Sequence, residues 1–391
     1  MSEPAPQQPE QKKKAASLLK RLLVFLLVAA VAVGAVAAVV FRDRLNIDSI
    51  RRWLEYRTLL RSDSGQAESF VYDGSIGDAF AALDNDLLVC SGNVISLYSG
   101  SGTRYISQSA AMEHPVVNSN GALAVAYDAG GSSLYVLGER SLIWSANDLE
   151  TILSARLNKS GQLTVVTQPS GYRSAVTVYS ASYEPVMTIE LSSALAMDAA
   201  LSDDGRTLAI LTVGQENGAF ATTLEFYGLT YSAGEFTPDL TCSLGAAVAL
   251  DVKHTSSLLW CLGEQGLSVV DHEGNTNSAS WASRYLRQYD LGGDGFAAVL
   301  VGRHRAGSQA ELLIIDEKGE TNSLSINEQV LAISAAGRYV AVLTADRLDI
   351  YTSGLELYSS LKGTQAARNV LMLDNGSAIL LSADTAGFYV P

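Results

Sequence analysis

The chain has 391 residues, 48% of them apolar, which is enough material for a large buried core. Its formal net charge of −14 is unevenly spread: residues 1–44 carry seven Lys/Arg and three Asp/Glu, and the remainder carries 20 basic and 38 acidic side chains, a net −18. An acidic body of that size repels polyanions, which argues against a nucleic-acid partner and favours solubility and cationic contacts. Cys90, Cys242 and Cys261 form neither a disulfide framework nor a metal cluster. Each stands in an apolar run where a free thiol packs as a small hydrophobe, and a Cys242–Cys261 bridge is the one pairing left open.

Residues 1–21 are rich in Pro, Gln and Lys and do not suit a packed core, so they read as a disordered basic cytoplasmic tail. Residues 22–41 contain no charge and no polar side chain, and thirteen of the twenty are Leu, Val or Phe. Twenty residues at helical rise span the hydrocarbon of a bilayer, and central apolar residues contribute roughly −0.3 to −0.6 kcal/mol each. A single transmembrane helix is expected here. Ala35-Val36-Ala37 resembles a signal-peptide cleavage site, but the apolar run is longer than a signal core and continues through Phe41. Lys12, Lys13 and Lys14 place the tail in the cytoplasm and the large domain outside the cell membrane.

Residues 42–65 form a juxtamembrane helix and linker. Ile47, Ile50, Trp53, Leu54 and Arg57 recur at helical spacing, with Asp48 or Ser49 as a cap. Arg51, Arg52 and Trp53 are the candidate membrane-interface residues, arginines on phosphates and indole at headgroup level. The other reading is a spacer helix packed on the domain that follows. Residues 61–66 read as a flexible linker.

Residues 66–391 repeat. A polar turn, often ending in Gly, separates two apolar runs at Leu83-Asp84-Asn85-Asp86, Asn118-Ser119-Asn120-Gly121, Asn158-Lys159-Ser160-Gly161 and Ser202-Asp203-Asp204-Gly205. It recurs at Lys253-His254-Thr255-Ser256, Gly292-Gly293-Asp294-Gly295, Ser334-Ala335-Ala336-Gly337 and Leu373-Asp374-Asn375-Gly376. The spacing averages about 41 residues, and such turns tolerate the positive φ of tight hairpins. Short alternating strands flank every copy, with no helix-length pattern beyond residue 65. A four-strand unit of this length, repeated this often, predicts an all-β fold, a β-propeller with eight blades, or seven if the Lys253 copy merges with its neighbour. Too few residues follow Gly376 for a complete last blade, so residues 68–73 are expected to supply its outermost strand.

The pattern resembles degenerate WD40-like and quinoprotein-like propellers, although no Gly-His…Trp-Asp pair recurs and the docking Trp residues of quinoprotein blades are missing. With its basic tail, its span and the segment Ile50-Arg51-Arg52-Trp53-Leu54-Glu55-Tyr56-Arg57, the chain resembles a family of Gram-positive bacterial single-pass membrane proteins of unknown function. That resemblance implies a surface-anchored propeller and transfers no catalytic residues.

Little in the sequence points to catalysis. His114, His254, His272 and His304 show no ligand spacing, and Asp203-Asp204-Gly205 and Asp84-Asn85-Asp86 lack the oxygens of a dedicated calcium loop. No nucleophile elbow, zinc signature or phosphate loop stands in the chain. Gly214-Gln215-Glu216-Asn217-Gly218 reads as a loop between strands. In the loop Gly302-Arg303-His304-Arg305-Ala306-Gly307, Arg303, His304 and Arg305 are a candidate partner-binding group, basic within an acidic domain. The reading is a membrane-anchored, extracytoplasmic binding or scaffolding module for a protein or peptide, not an enzyme, with no cofactor and no metal. The alternatives are an extracellular hydrolase or lyase, signalled by inward-pointing carboxylates or histidines meeting at the channel, and a sensor acting through its transmembrane helix.

Overall fold

The computed structural model describes residues 47–391, apart from residues 58, 75–76, 217, 230–235, 246–247 and 256. The expected tail at 1–21 and span at 22–41 lie outside the described residues. Among those described, no helix is long and apolar enough to cross a membrane. The chain divides into two units, Met1–Thr58 and Leu59–Pro391.

Among the described residues of the first unit, a helix, α1, runs over Ile47–Glu55. It stops short of Leu59 and Leu60. Asp48 lies within its first turn, and Ser49 Oγ accepts from Arg52 Nη2 at 3.1 Å. Arg51 pairs with Glu55 one turn on, at 2.8 Å.

In the second unit, each of the eight polar turns closes a hairpin between the innermost strand of a sheet and the strand beside it. The backbone demands explain their composition. Gly121, Gly161, Gly205, Gly295, Gly337 and Gly376 all sit at positive φ, and in the first copy Asp84 and Asn85 take that role at +49° and +63°. The Lys253 copy builds its own sheet around Ala249–His254, so there are eight four-stranded sheets and not seven. The fold is an eight-bladed β-propeller. Blades 1 to 7 occupy residues 79–109, 115–146, 151–191, 195–245, 249–280, 285–326 and 330–362.

Blade 8 closes the ring with both ends of the repeat region. Its inner strands are Asn369–Met372, Ala378–Leu381 and Thr385–Tyr389, and its outermost strand is Phe70–Val71, paired as Phe70↔Ala386 and Val71↔Thr385. Tyr72 follows, buried, with its hydroxyl donating to Ser382 O at 2.7 Å and its ring edge-on to Phe80 of blade 1. Residues 61–66, expected as a flexible linker, instead form a turn bonded to this blade. Ser62 N donates to Gln66 O, Ala67 N to Phe388 O and Val390 N to Gly65 O. Gly65 is required there, because its φ is +84° and a Cβ would lie 2.4 Å from Val390 O.

Packing follows from position within the blade. The middle strands, such as the third strand Leu134–Gly138 of blade 2 and the second strand Tyr339–Thr344 of blade 7, are buried at every residue, while an outermost strand such as Ser141–Ala146 alternates exposed and half-buried. Layers of Leu, Ile, Val and Ala from neighbouring blades meet face to face, as between blades 6 and 7 around Leu312, Ile314, Val340 and Val342. Cys90 and Cys261 are buried in second strands, Cys242 is half-buried on an outermost strand, and all three are free thiols.

Candidate functional site: a collar at the channel mouth

The innermost strands run from the connections between blades toward the polar turns. Five successive ones break register at the same level: after Ile152, Ala196, Ala249, Leu286 and Val330. Each break is a β-bulge, which leaves one residue unpaired and re-aims the side chains that follow. The bulged residues are Leu153, Met197, Leu250, Arg287 and Leu331. None is fully buried, and Leu250 is half exposed. Together they form a collar, apolar except for Arg287, near the end of the channel shared by the blade-to-blade connections and the loops between second and third strands.

Immediately below the collar the channel wall is polar. Arg156 of blade 3 grips Asp198 of blade 4 through Nε and Nη2, at 2.6–2.9 Å, and also pairs with Asp251 of blade 5. Ser154 donates to Asp198 as well. Burial pushes the Asp251 carboxyl above its ordinary range against the pull of Arg156, with Asp198 adding to the rise. Burial also raises the Tyr289 hydroxyl, beside the same carboxylate. On the neighbouring strands Lys253 Nζ donates to Leu291 O and Gly293 O, and Asp290 accepts from Ser334 Oγ and Ala335 N. Inward-pointing carboxylates therefore do meet at the channel, the sign set for a hydrolase. They are engaged by a guanidinium and by backbone donors, an arrangement that braces blades 3 to 7 against one another and leaves little capacity for acid–base work.

The collar opens sideways into a depression of about 550 Å3 between blades 6, 7 and 8, lined by Leu286, Arg287, Gln288, Tyr289, Leu331, Ala332, Ile333, Arg368 and Asn369. The basic loop stands over its rim. Arg287 Nε donates to His304 O and Nη1 to Gly307 O, both at 2.8 Å, so the bulged arginine supports the loop from beneath. Arg303, His304 and Arg305 are exposed, and the Arg305 guanidinium lies 5.5 Å from the centroid of the Tyr285 ring. The loop singled out in the sequence thus belongs to a larger group, and Tyr285, Arg287 and Arg368 are the members that sequence reasoning missed. The bulge is the cause, because it places Arg287 toward the mouth where strand alternation alone would not.

Blade 4 adds a wall. Its second and third strands, Thr207–Glu216 and Ala219–Gly228, are ten residues each and pair out to Glu216↔Ala219, past the ends of their neighbours. Gly214 and Gln215 are hydrogen-bonded strand here, where a loop was expected. Phe220, on the projecting part, is 68% exposed. Thr222, two residues on and on the same strand face, accepts from Ala249 N of blade 5, which directs that face toward exposed Val248 and Leu250.

The remaining candidates have other roles. Arg51, Arg52 and Trp53 lie on α1, with Trp53 exposed. Asp204 caps its own turn, taking bonds from Ser202 Oγ and Arg206 N. His254 and His272, without ligand spacing in the sequence, come to 5.5 Å between ring centroids in blade 5. Burial, aided by His272, lowers His254 to about 4, so its imidazole is neutral at physiological pH. Among the described residues no group of three or more His, Cys, Asp or Glu is disposed to hold a metal ion.

Residues 66–241, the closing strand and blades 1 to 4, match the model of a family of unknown function, DUF5711. No curated protein matches the chain in sequence. Among solved structures the chain is similar to the C-terminal WD40 domain of Sif2, with 15% identity, coverage of 83% of this chain and 98% of that one, and a TM-score of 0.59. It is also similar to BamB from Moraxella catarrhalis, with 17% identity, coverage of 83% and 96%, and a TM-score of 0.48. At such identity the likeness is one of fold alone.

Proposed function

We propose that this chain is a membrane-anchored, extracytoplasmic binding module that takes a protein or peptide partner at the collar. The observation that carries the reading is the gathering of Tyr172, Met197, Phe220, Val248, Leu250 and Tyr285, all exposed, at one end of blades 3 to 6. Aromatic and Met side chains beside arginines are the composition of protein-binding surfaces. Residues 61–67 join the ring at the opposite end from the collar, beside Phe388 and Val390. The uncharged run at 22–41, behind its Lys triplet, supports the anchored half of the proposal. The hydrolase reading is weaker because Arg156 holds both Asp198 and Asp251.

A photo-crosslinking residue placed at Leu250 or Tyr285 in living cells tests the site against one at Lys159 in an opposite turn. Discrete adducts are expected from the first two positions. Equal labelling from Lys159, or none from the collar, removes the proposal.

A further inference from the structure

We infer that the collar selects an acidic segment of a partner protein, one that carries apolar anchors among its Asp and Glu residues. This rests on the proposed binding role of the collar and names the chemistry of its occupant.

The first ground is charge placement. The propeller and its approach carry a net −18, yet the rim of blades 6 to 8 is cationic. Other arginines of that rim are paired, Arg284 with Glu311 and Arg347 with Glu328 and Asp349, and Asp346 and Asp384 stand exposed on its loops. Arg303, Arg305 and Arg368 are exposed and make no salt bridge among the described residues. Three guanidinium groups without an ion-pair partner, Arg368 lining the depression and Arg303 and Arg305 on the loop that Arg287 supports, are a recognition device for carboxylates or phosphates. Arg287, bound to loop carbonyls, fixes two of them in place by holding the backbone of residues 304–307.

The second ground separates a peptide from a polyanion. The same mouth continues on either side of Arg287 into apolar surface at Leu331, Leu250, Met197 and Phe220. A sulfated glycan has no apolar group to place there, and the length of a nucleic acid would carry its phosphates onto the acidic remainder of the domain. A short peptide can set Leu or Phe on the collar and carboxylates on the rim at once. The gap between Phe220 on blade 4 and Arg368 on blade 8 favours an extended segment over a single residue.

Selection of a displayed random-peptide library on the full chain in nanodiscs tests this. Enriched peptides are expected to combine Asp/Glu with Leu, Ile, Phe or Trp. The exposed triple variant R303E/R305E/R368E is expected to bind those peptides at least about tenfold more weakly and to enrich Lys/Arg peptides instead. L250S is expected to weaken both sets. Enrichment that depends on Leu250 but is indifferent to peptide charge overturns the acidic-segment inference and leaves the binding face intact. No enrichment over empty nanodiscs overturns both. Dextran sulfate binding more tightly than the selected peptides, with loss in the triple variant, assigns the rim to polyanions and also overturns it.

Discussion

Replacing Arg156 by Met gives the sharpest test of how the ring is held. The guanidinium lies between Asp198, whose side chain is 8% exposed, and Asp251, at 21%. Methionine keeps the unbranched stem of the side chain and removes the guanidinium with its charge, stranding two carboxylates in one buried site. Removing one partner of a buried ion pair costs about 3–5 kcal/mol, far more than the pair contributes over an apolar replacement. At about 2.1 cal/mol/K per residue, a propeller of roughly 330 residues has an unfolding entropy near 0.7 kcal/mol/K, so Tm should fall by about 4–7 °C. The loss should depend on pH. Arg156 opposes the burial that raises the Asp251 carboxyl, so without it that carboxyl stays protonated to higher pH than in the unfolded chain, and a raised folded pKa favours the folded state as pH falls. The deficit should therefore be greatest near pH 8 and shrink toward pH 5. R156M/D251N should recover a large part of it, since it leaves one carboxylate with its Ser154 donor. Differential scanning calorimetry of the purified full chain at several pH values provides the measurement. A loss below about 1 kcal/mol, or one equal at pH 5 and pH 8, refutes the bracing role.

Three further outcomes follow from other parts of the ring. Burial outweighs Arg140, 3.3 Å away, and raises the Asp86 carboxyl to about 6. Since the folded pKa exceeds the unfolded one, wild-type stability should rise as pH falls from about 7 to 4. Water reaches the Arg140 side of this carboxyl, so the full value of about 3 kcal/mol for a shift of that size is reduced to about 1–2. Asp86→Asn should abolish that component in calorimetric pH profiles. Tyr72→Phe should cost about 1 kcal/mol for the lost bond to Ser382, and Tyr72→Ala about 3–5 kcal/mol for the contact that closes blade 8 against blade 1, both read by urea denaturation. Burial raises the thiols of Cys90, Cys261 and Cys242, so in the folded chain Ellman's reagent should react slowly with half-buried Cys242 and not with the other two until denaturant is added.

Much of this architecture is legible in the sequence, because it rests on backbone demands that recur along the chain. Seven of the eight polar turns hold an Asx or Gly residue at positive φ, which marks their hairpins in the sequence, and the strand expected from residues 68–73 is the one formed at Phe70–Val71. The basic loop at Arg303–Arg305 was visible for the same local reason, an unusual composition between two strands. The site itself was not. Its collar depends on bulges, which are a property of register between paired strands and leave no fixed mark on either one. Leu250, Arg287 and Arg368 share a mouth only once the ring has closed. Arg156 meets Asp251 across 95 residues of sequence, and His254 meets His272 only through the fold of one blade. The sequence by itself determined the repeating four-strand unit, most of its turns and how the ring is sealed, while the choice of eight blades over seven waited on the sheet built around Ala249–His254. Only tertiary structure decided which side chains face one another across the channel, because that distance is set by the curvature of the ring and not by separation along the chain.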